Sequence, residues 1–190
     1  LLIHVDSDER SKVLRRQVAY PMESLWAPWR MAYIEKAGSS RCIFCDIPST
    51  RQDEKNFVLY RGKSVFILMN LYPYNPGHIM IAPYRHLDDL KKLSAEEQLD
   101  LIQEAARSTS LLRQTMNPDG FNLGMNQGKA AGAAVEDHLH LHIVPRWNGD
   151  TNFMPIVAAT KVIPEGLTAT YRKIASVFRE TQQSGEHDAH

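Results

Sequence analysis

The sequence predicts an α+β domain built around an antiparallel sheet. Short β-rich runs come in adjacent pairs, and one long amphipathic segment lies between two groups of them. A second amphipathic segment near the C-terminus supplies another flanking helix.

Taken in order, "FVLY" (57–60) and "VFILM" (65–69) are apolar and β-forming, with Gly62 and Lys63 between them. They read as the two strands of an antiparallel hairpin. "NLYPYNPGH" (70–78) is a loop, because two prolines and a glycine exclude regular pairing. "IMIAP" (79–83) resumes as a strand. Ser94 then caps a helix, and Glu97, three positions on, completes a capping box. Leu99, Ile102, Ala106, Thr109, Leu112 and Met116 recur at helical spacing and supply its expected buried stripe. "NPDG" (117–120) ends it. "FNLGMN" (121–126) reads as a strand, "QGKAAGAA" (127–134) as a loop of small residues, and "HLHLHIV" (138–144) as another strand. A last helix is expected over 167–179, where Leu167, Tyr171, Ile174 and Phe178 share a face. No repeat or low-complexity tract interrupts this order.

The 190 residues favour one domain with a terminal extension. The opening "LLIHVDSDERSKVLRRQVAYP" is highly charged and precedes "MESLWAPWR". Residues 1–21 are therefore expected to be an N-terminal extension, upstream or added sequence before a natural start at Met22, or else an ordinary N-terminal arm. Residues 22–190 form the single domain with its C-terminal helix. Lys plus Arg equal Asp plus Glu at 22 each. That balance gives no electrostatic reason to expect a nucleic-acid partner, though a small anion needs only a local site. No apolar run is long enough to cross a bilayer, so no membrane partner is expected. Two cysteines in a Cys-x-x-Cys pair are too few for a secreted disulfide framework, which points to a metal or redox role in a reducing cytoplasm.

The chemistry concentrates in "DHLHLHIVPRW" (137–147). Alternate side chains of a strand point the same way. His138, His140 and His142 therefore share one face, while Leu139, Leu141 and Ile143 go to the core. A neutral imidazole, with an ordinary pKa of about 6.5, is an effective nucleophile near neutral pH. Attack on phosphorus would give a covalent phosphohistidine and divide one hard displacement into two easier ones. The preceding loop offers a cradle for phosphate oxygens. Gly128, Ala130, Ala131, Gly132, Ala133 and Ala134 let backbone N–H groups approach an anion, and Lys129 adds charge. Two rival readings stand beside this one: a catalytic zinc held by the three histidines, or a histidine-rich face without a function.

Cys42 and Cys45 in "CIFC" raise a second site. A redox role is disfavoured because no helix signal follows the pair of the kind that lowers a thiol pKa. Two thiolates make half of a tetrahedral zinc shell, and the other reading is a reduced thiol pair packed as small hydrophobes. Among the eight histidines, His4, His187 and His190 lie near the chain ends, and His140 and His142 have chemistry to do. His78, His86 and His138 remain as partners for the thiolates.

"HLHLHIV" fits the pattern His-φ-His-φ-His-φ-φ, with φ apolar, and so resembles the histidine-triad family. The likeness extends through "FILMNLYPYNPGHIMIAPYRH" and into "PRWNGDTNF", covering roughly residues 42–155. The branch it most resembles is the bacterial dinucleoside-tetraphosphate phosphorylase and hydrolase group. More distantly the chain is similar to galactose-1-phosphate uridylyltransferase. The resemblance implies a five-stranded antiparallel sheet with flanking helices, a homodimer, and the transfer or hydrolysis of a nucleotidyl group. It implies that His140 attacks the α-phosphate and that His142 contacts phosphate oxygens. Asn126, Gly132 and the loop around it would bind the phosphates, and Asn70 the ribose hydroxyls. Phe66 and Ile67 would wall the base or serve as plain core. For the second site the resemblance implies a structural zinc held by Cys42, Cys45, His86 and His138, with no cofactor needed for the chemical step. The substrate class so implied is a dinucleoside polyphosphate such as diadenosine tetraphosphate, cleaved through an AMP–histidine intermediate. The alternative is a nucleotide-binding regulatory or scaffold protein with incidental nucleoside phosphoramidate or dinucleotide hydrolase activity.

One departure concerns the leaving group. Many relatives carry Gln-Ser or Gln-Thr before the triad, whereas this chain has "GAAVED" with Ala133 and Ala134. Lys129, Glu136 or His142 are the candidates to assist departure instead. His78 reads as a satisfied structural histidine. Trp147 and Asn152 would shape a polyphosphate or second-nucleoside site, or pack a dimer or loop. Arg146 would hold a phosphate bidentately or stand solvated.

Overall fold

The computed structural model describes residues 42–131, 135–150 and 163–187, with side chains described as far as Thr181. The expected N-terminal extension, Met22, Gly132, Ala133, Ala134 and Asn152 lie outside the described residues. Helix α1 (Ile43–Thr50) leads into strands β1 (Val58–Arg61), β2 (Val65–Met69) and β3 (Ile79–Pro83). Then come helix α2 (Ala95–Met116), strands β4 (Gly120–Met125) and β5 (Leu141–Arg146), and helix α3 (Leu167–His187). The five strands form one sheet in the order β1-β2-β3-β5-β4, with every pair antiparallel. The expected α+β class is therefore what the chain adopts. No described helix is long and apolar enough to cross a membrane.

Strict alternation along the inner strands divides the sheet into two faces. Leu59, Ile67, Met69, Ile79, Ile81, Leu139, Leu141 and Ile143 face the helices and join Leu101, Leu112, Tyr171, Ile174 and Phe178 in the main core. Val58, Phe66, Leu68, Met80 and Ala82 face the other way and pack with Phe44 of α1. Phe66 and Ile67 are adjacent and so point to opposite faces. Ile67 belongs to the helix-side core, and only Phe66 lies on the face that carries the histidines.

The loop after β2 is closed by the Asn70 N–H donating to the His78 carbonyl at 2.9 Å, just outside the Met69–Ile79 pair. It turns at Gly77, whose φ of +74° favours glycine, and a Cβ there would stand 2.5 Å from the Met116 sulfur. The capping box of α2 forms as its sequence predicts, with Ser94 Oγ accepting from the Glu97 N–H.

Four expectations need correction. The buried stripe of α2 is Leu101, Ala105, Ser108, Leu111 and Leu112, whereas Leu99 and Ile102 are each 59% exposed and Ala106 is exposed too. Small side chains at 105 and 108 let the helix lie close to the sheet, and a serine in that stripe hides it from a hydrophobicity pattern. The triad strand starts at Leu141 rather than at His138. Pairing with β3 stops at Ile81–Leu141, and beyond it the Leu139 N–H donates to the Leu87 carbonyl. Finally, a helix does follow the first cysteine: Cys42 is the N-cap of α1, and Cys45 lies in its first turn. The C-terminal helix runs eight residues past its expected end at 179, to His187.

Candidate active site

The three triad imidazoles stand in different surroundings. His138 is 1% exposed and lies against the cysteines. His140 is buried, its ring 4.8 Å from that of Phe44. His142, in β5, is half-buried, with its ring 4.8 Å from that of His140.

Hydrogen bonds fix which nitrogen of each ring carries the proton. His140 Nδ1 lies 2.8 Å from the His138 carbonyl oxygen. A carbonyl only accepts, so Nδ1–H donates and the neutral ring presents its lone pair at Nε2. A second chain starts at the Tyr74 N–H, which donates to His78 Nδ1 at 3.0 Å. His78 therefore carries its proton on Nε2, which lies 2.9 Å from His142 Nδ1. That bond leaves the His142 proton on Nε2. The site thus offers one imidazole with an open electron pair and, beside it, one with an N–H to donate.

Burial keeps these rings neutral. It lowers His140 below the ordinary imidazole value, partly offset by its bond to the His138 carbonyl. Burial first and His140 second bring His142 down to about 4. His78, fully buried, falls to about 3 through burial and then through its histidine neighbours. An unfolded histidine binds its proton below about 6.5, so the native state resists protonation that the unfolded state accepts. This contribution to stability is complete above about pH 6.5 and is lost progressively as pH falls toward 3. The melting temperature is expected to fall between pH 6.5 and 4, with a slope of up to ~1.4 kcal/mol per pH unit from His78. Thermal unfolding of His78→Gln over that range should show a shallower fall. Parallel profiles would contradict the assignment.

Asn70 Oδ1 accepts from the Tyr72 N–H at 2.9 Å, and its Nδ2 lies 3.4 Å from His78 Nδ1. Asn126 directly follows β4 and lines a cavity together with His142. Lys129 is exposed, in a short 3-10 turn over Lys129–Ala131. Glu136 is exposed as well. Arg146 is held by Asp150, with Nε donating to Oδ2 at 2.5 Å and Nη2 to Oδ1 at 2.9 Å, while Nη1 donates to Asn122 Oδ1. Arg146 in turn holds the Asp150 carboxyl far below the usual carboxylate range. The Trp147 indole N–H donates to the Asn117 carbonyl.

The second cluster joins distant parts of the chain. Ligand atoms of Cys42, Cys45, His86 and His138 all lie within 4.8 Å of one another, and no other such group occurs among the described residues. His138 Nε2 lies 2.9 Å from the Pro83 carbonyl, so it carries the proton. His138 Nδ1 then turns its lone pair to the cysteines, 3.2 Å from Cys42 Sγ and 3.6 Å from Cys45 Sγ. His86 Nδ1 lies 3.4 Å from Cys45 Sγ. Two sulfurs and two imidazole nitrogens, one fixed by a carbonyl behind it, fit a tetrahedral zinc. Burial, followed by the adjacent Cys42, pushes the Cys45 thiol up to about 11. A cation is what would hold it as thiolate at neutral pH.

Sequence reasoning named the residues of both clusters, but it missed the link from His78 to His142. Parity carries the signal. Ile79 pairs with Ile143 and Met80 with His142, so residue 78 shares the face of 142 one step along the sheet. That inference needs the strand register, which the sequence alone does not supply.

Comparison with known families matches residues 51–149 to the HIT domain. A protein of Mycobacterium tuberculosis named AP-4-A phosphorylase is 40% identical over 164 residues, spanning 82% of this chain and 84% of that protein. A bis(5′-adenosyl)-triphosphatase of Dictyostelium discoideum is 38% identical over 96 residues, 50% of this chain and 62% of that one. Among solved structures, a Zn-bound histidine triad family protein from Mycobacterium smegmatis superposes with a TM-score of 0.61 at 26% identity. The superposition covers 77% of this chain and 99% of that chain.

Proposed function

The chain belongs to the HIT domain family, and from that premise we propose that it cleaves dinucleoside polyphosphates at the α-phosphate, with His140 as the nucleophile. The observation that carries this reading is the bond from His140 Nδ1 to the His138 carbonyl, which leaves Nε2 as the electron-pair donor. Attack by Nε2 forms a P–N bond, and the α,β-bridging P–O bond breaks to release the remaining nucleotide. The His142 Nε2–H, oriented through His78, hydrogen-bonds phosphate oxygens as negative charge builds on them. It is also the N–H placed to assist the departing oxygen, the part that Ala133 and Ala134 lack the groups to play. Asn126, Lys129 and the loop through Gly132, Ala133 and Ala134 cradle the phosphates, and Asn70 takes the ribose hydroxyls.

Phosphate resolves the intermediate in this reading, because a relative matched over 82% of this chain is named a phosphorylase. Water is the second possibility, favoured by the triphosphatase relative. Product analysis separates them. Phosphorolysis of diadenosine tetraphosphate gives ADP and ATP and requires phosphate, whereas hydrolysis gives AMP and ATP without it. Absence of both product pairs from well-folded protein would sink the proposal.

Cys42, Cys45, His86 and His138 hold a structural zinc that takes no part in the chemical step. Zinc would supply the charge that keeps both sulfurs as thiolates and would tie α1 to the segment before β5. The unlinked cysteines suit a reducing cytoplasm. A second copy of the chain covers the outward face of α2, where Leu99, Ile102 and Ala106 are exposed, and the edge strand β4, where Leu123 is 50% exposed. Sedimentation velocity should find a dimer that Ile102→Glu converts to monomer. A monomeric wild-type chain would refute this part.

A further inference from the structure

On the histidine face of the sheet, Asn122 and Gly124 of β4 lie opposite Val144 and His142 of β5. Together with Asn126, Arg146 and the loop residues Tyr74 and Asn75 they bound a cavity of about 320 Å³ that opens beside His142. Glycine inside a strand weakens it, and its usual reasons are an unusual backbone or a close neighbour. Neither applies to Gly124. Its φ lies outside the left-handed region, and a Cβ built on it would meet nothing within 4 Å. What a side chain there would do is fill the space across from His142, because directly paired residues have Cβ atoms about 5 Å apart.

Tyr74 forms the lip of the same cavity. Tyr74 is 56% exposed although it stands beside the fully buried His78. The ring lies 4.8 Å from that of His78, tilted by 31°, and 6.2 Å from that of His142 at 29°. Its position is fixed from both sides. Its own N–H binds His78, and the next residue, Asn75, donates to the Pro145 carbonyl at 2.8 Å and to Asp150 Oδ2 at 2.7 Å. A tyrosine held in this way offers a flat surface at little further entropic cost. Charge narrows the choice of ligand. The guanidinium of Arg146 is paired with the Asp150 carboxylate, so the cavity wall is close to neutral. With His142 and Asn126 given to the phosphates, the rest of the lining, Tyr74, Asn75, Asn122 and Gly124, suits an uncharged nucleoside.

We infer that this cavity receives the distal nucleoside of the substrate, the one that leaves, with its base stacked on Tyr74 and its space kept open by Gly124. The inference rests on the adenylyl-transfer reading and adds what that reading lacks, a structural reason to prefer two nucleosides over one.

The test compares diadenosine tetraphosphate with adenosine 5′-tetraphosphate, which keeps the phosphate chain and lacks the second nucleoside. Base–aromatic stacking of ordinary strength makes the wild-type preference for the dinucleotide about tenfold or more in kcat/KM. Gly124→Val should bring the two substrates to within about twofold by slowing only the dinucleotide, since the loss is that of the stacked base alone. Tyr74→Ala should collapse the same ratio, and Tyr74→Phe should retain it. Valine suits a strand and enters open space, and the melting curves of the variants verify their folding. The inference is overturned by a wild type without preference, by a ratio that survives both substitutions, or by variants that slow both substrates equally. A wild type that cleaves neither compound instead removes the adenylyl-transfer premise, and the inference with it.

Discussion

His140→Ala is expected to lower turnover of diadenosine tetraphosphate by about four orders of magnitude or more, as loss of a catalytic nucleophile does. No neighbour can replace it. His142 faces the site with a protonated Nε2, because its Nδ1 is engaged by His78, and His138 turns its lone pair to the cysteines. Substitution also removes a buried ring packed on Phe44 and leaves the His138 carbonyl without its donor, a cost of about 1–3 kcal/mol. A thermal melt must therefore accompany the kinetics. A folded variant that binds AMP normally and turns over nothing is the expected outcome. Residual turnover within about tenfold of wild type would place the nucleophile elsewhere.

The second large effect concerns the metal cluster. Protein as purified should contain a single zinc per chain, and the Cys42→Ser, Cys45→Ser double variant should contain none. Structural zinc in small peptides contributes about 10–16 kcal/mol. Here the five-stranded sheet has a core of its own, so part of that figure, several kcal/mol, is the expected loss. It corresponds to a fall in melting temperature of about 10 °C or more for a chain of this size. Three segments lose their common anchor: α1, the stretch from Pro83 to Leu87, and the approach to β5. Activity on chelation should therefore decline in step with structure, because His138 sits two residues from His140 and its carbonyl orients that ring. Immediate loss of activity with an unchanged melting curve would instead mean that the metal takes part in catalysis.

Much of this was legible in the chain itself. Three histidines alternating with Leu139, Leu141 and Ile143 specify a common face whatever the neighbouring strands, because the period of an extended chain is local. The capping box of α2 is local too, and it forms. Features set by tertiary contact were not legible. Two helical stripes compete on α2, and the sheet covers the one with Leu101, Ala105, Ser108, Leu111 and Leu112, leaving Leu99 and Ile102 exposed. The start of β5 depends on where β3 stops pairing. Helix α1, with Pro48 inside it, carries little helical signal and stands where Phe44 packs against the histidine face. The proton positions of His78 and His142 depend on a backbone N–H in a loop, which no spacing of residue types encodes. Tyr74 and Gly124 likewise acquire meaning only once the cavity beside His142 is seen.

The claim beneath all of this is that His140 Nε2 becomes bonded to phosphorus. Wild-type protein mixed with diadenosine tetraphosphate in phosphate-free buffer, denatured within milliseconds at alkaline pH and digested, can be read by mass spectrometry. One adenylyl group on the peptide that spans the triad, localised by fragmentation to His140 and absent from His140→Ala, is the result expected. Adenylylation at another residue, or rapid turnover with no adduct at any quench time, would contradict the account.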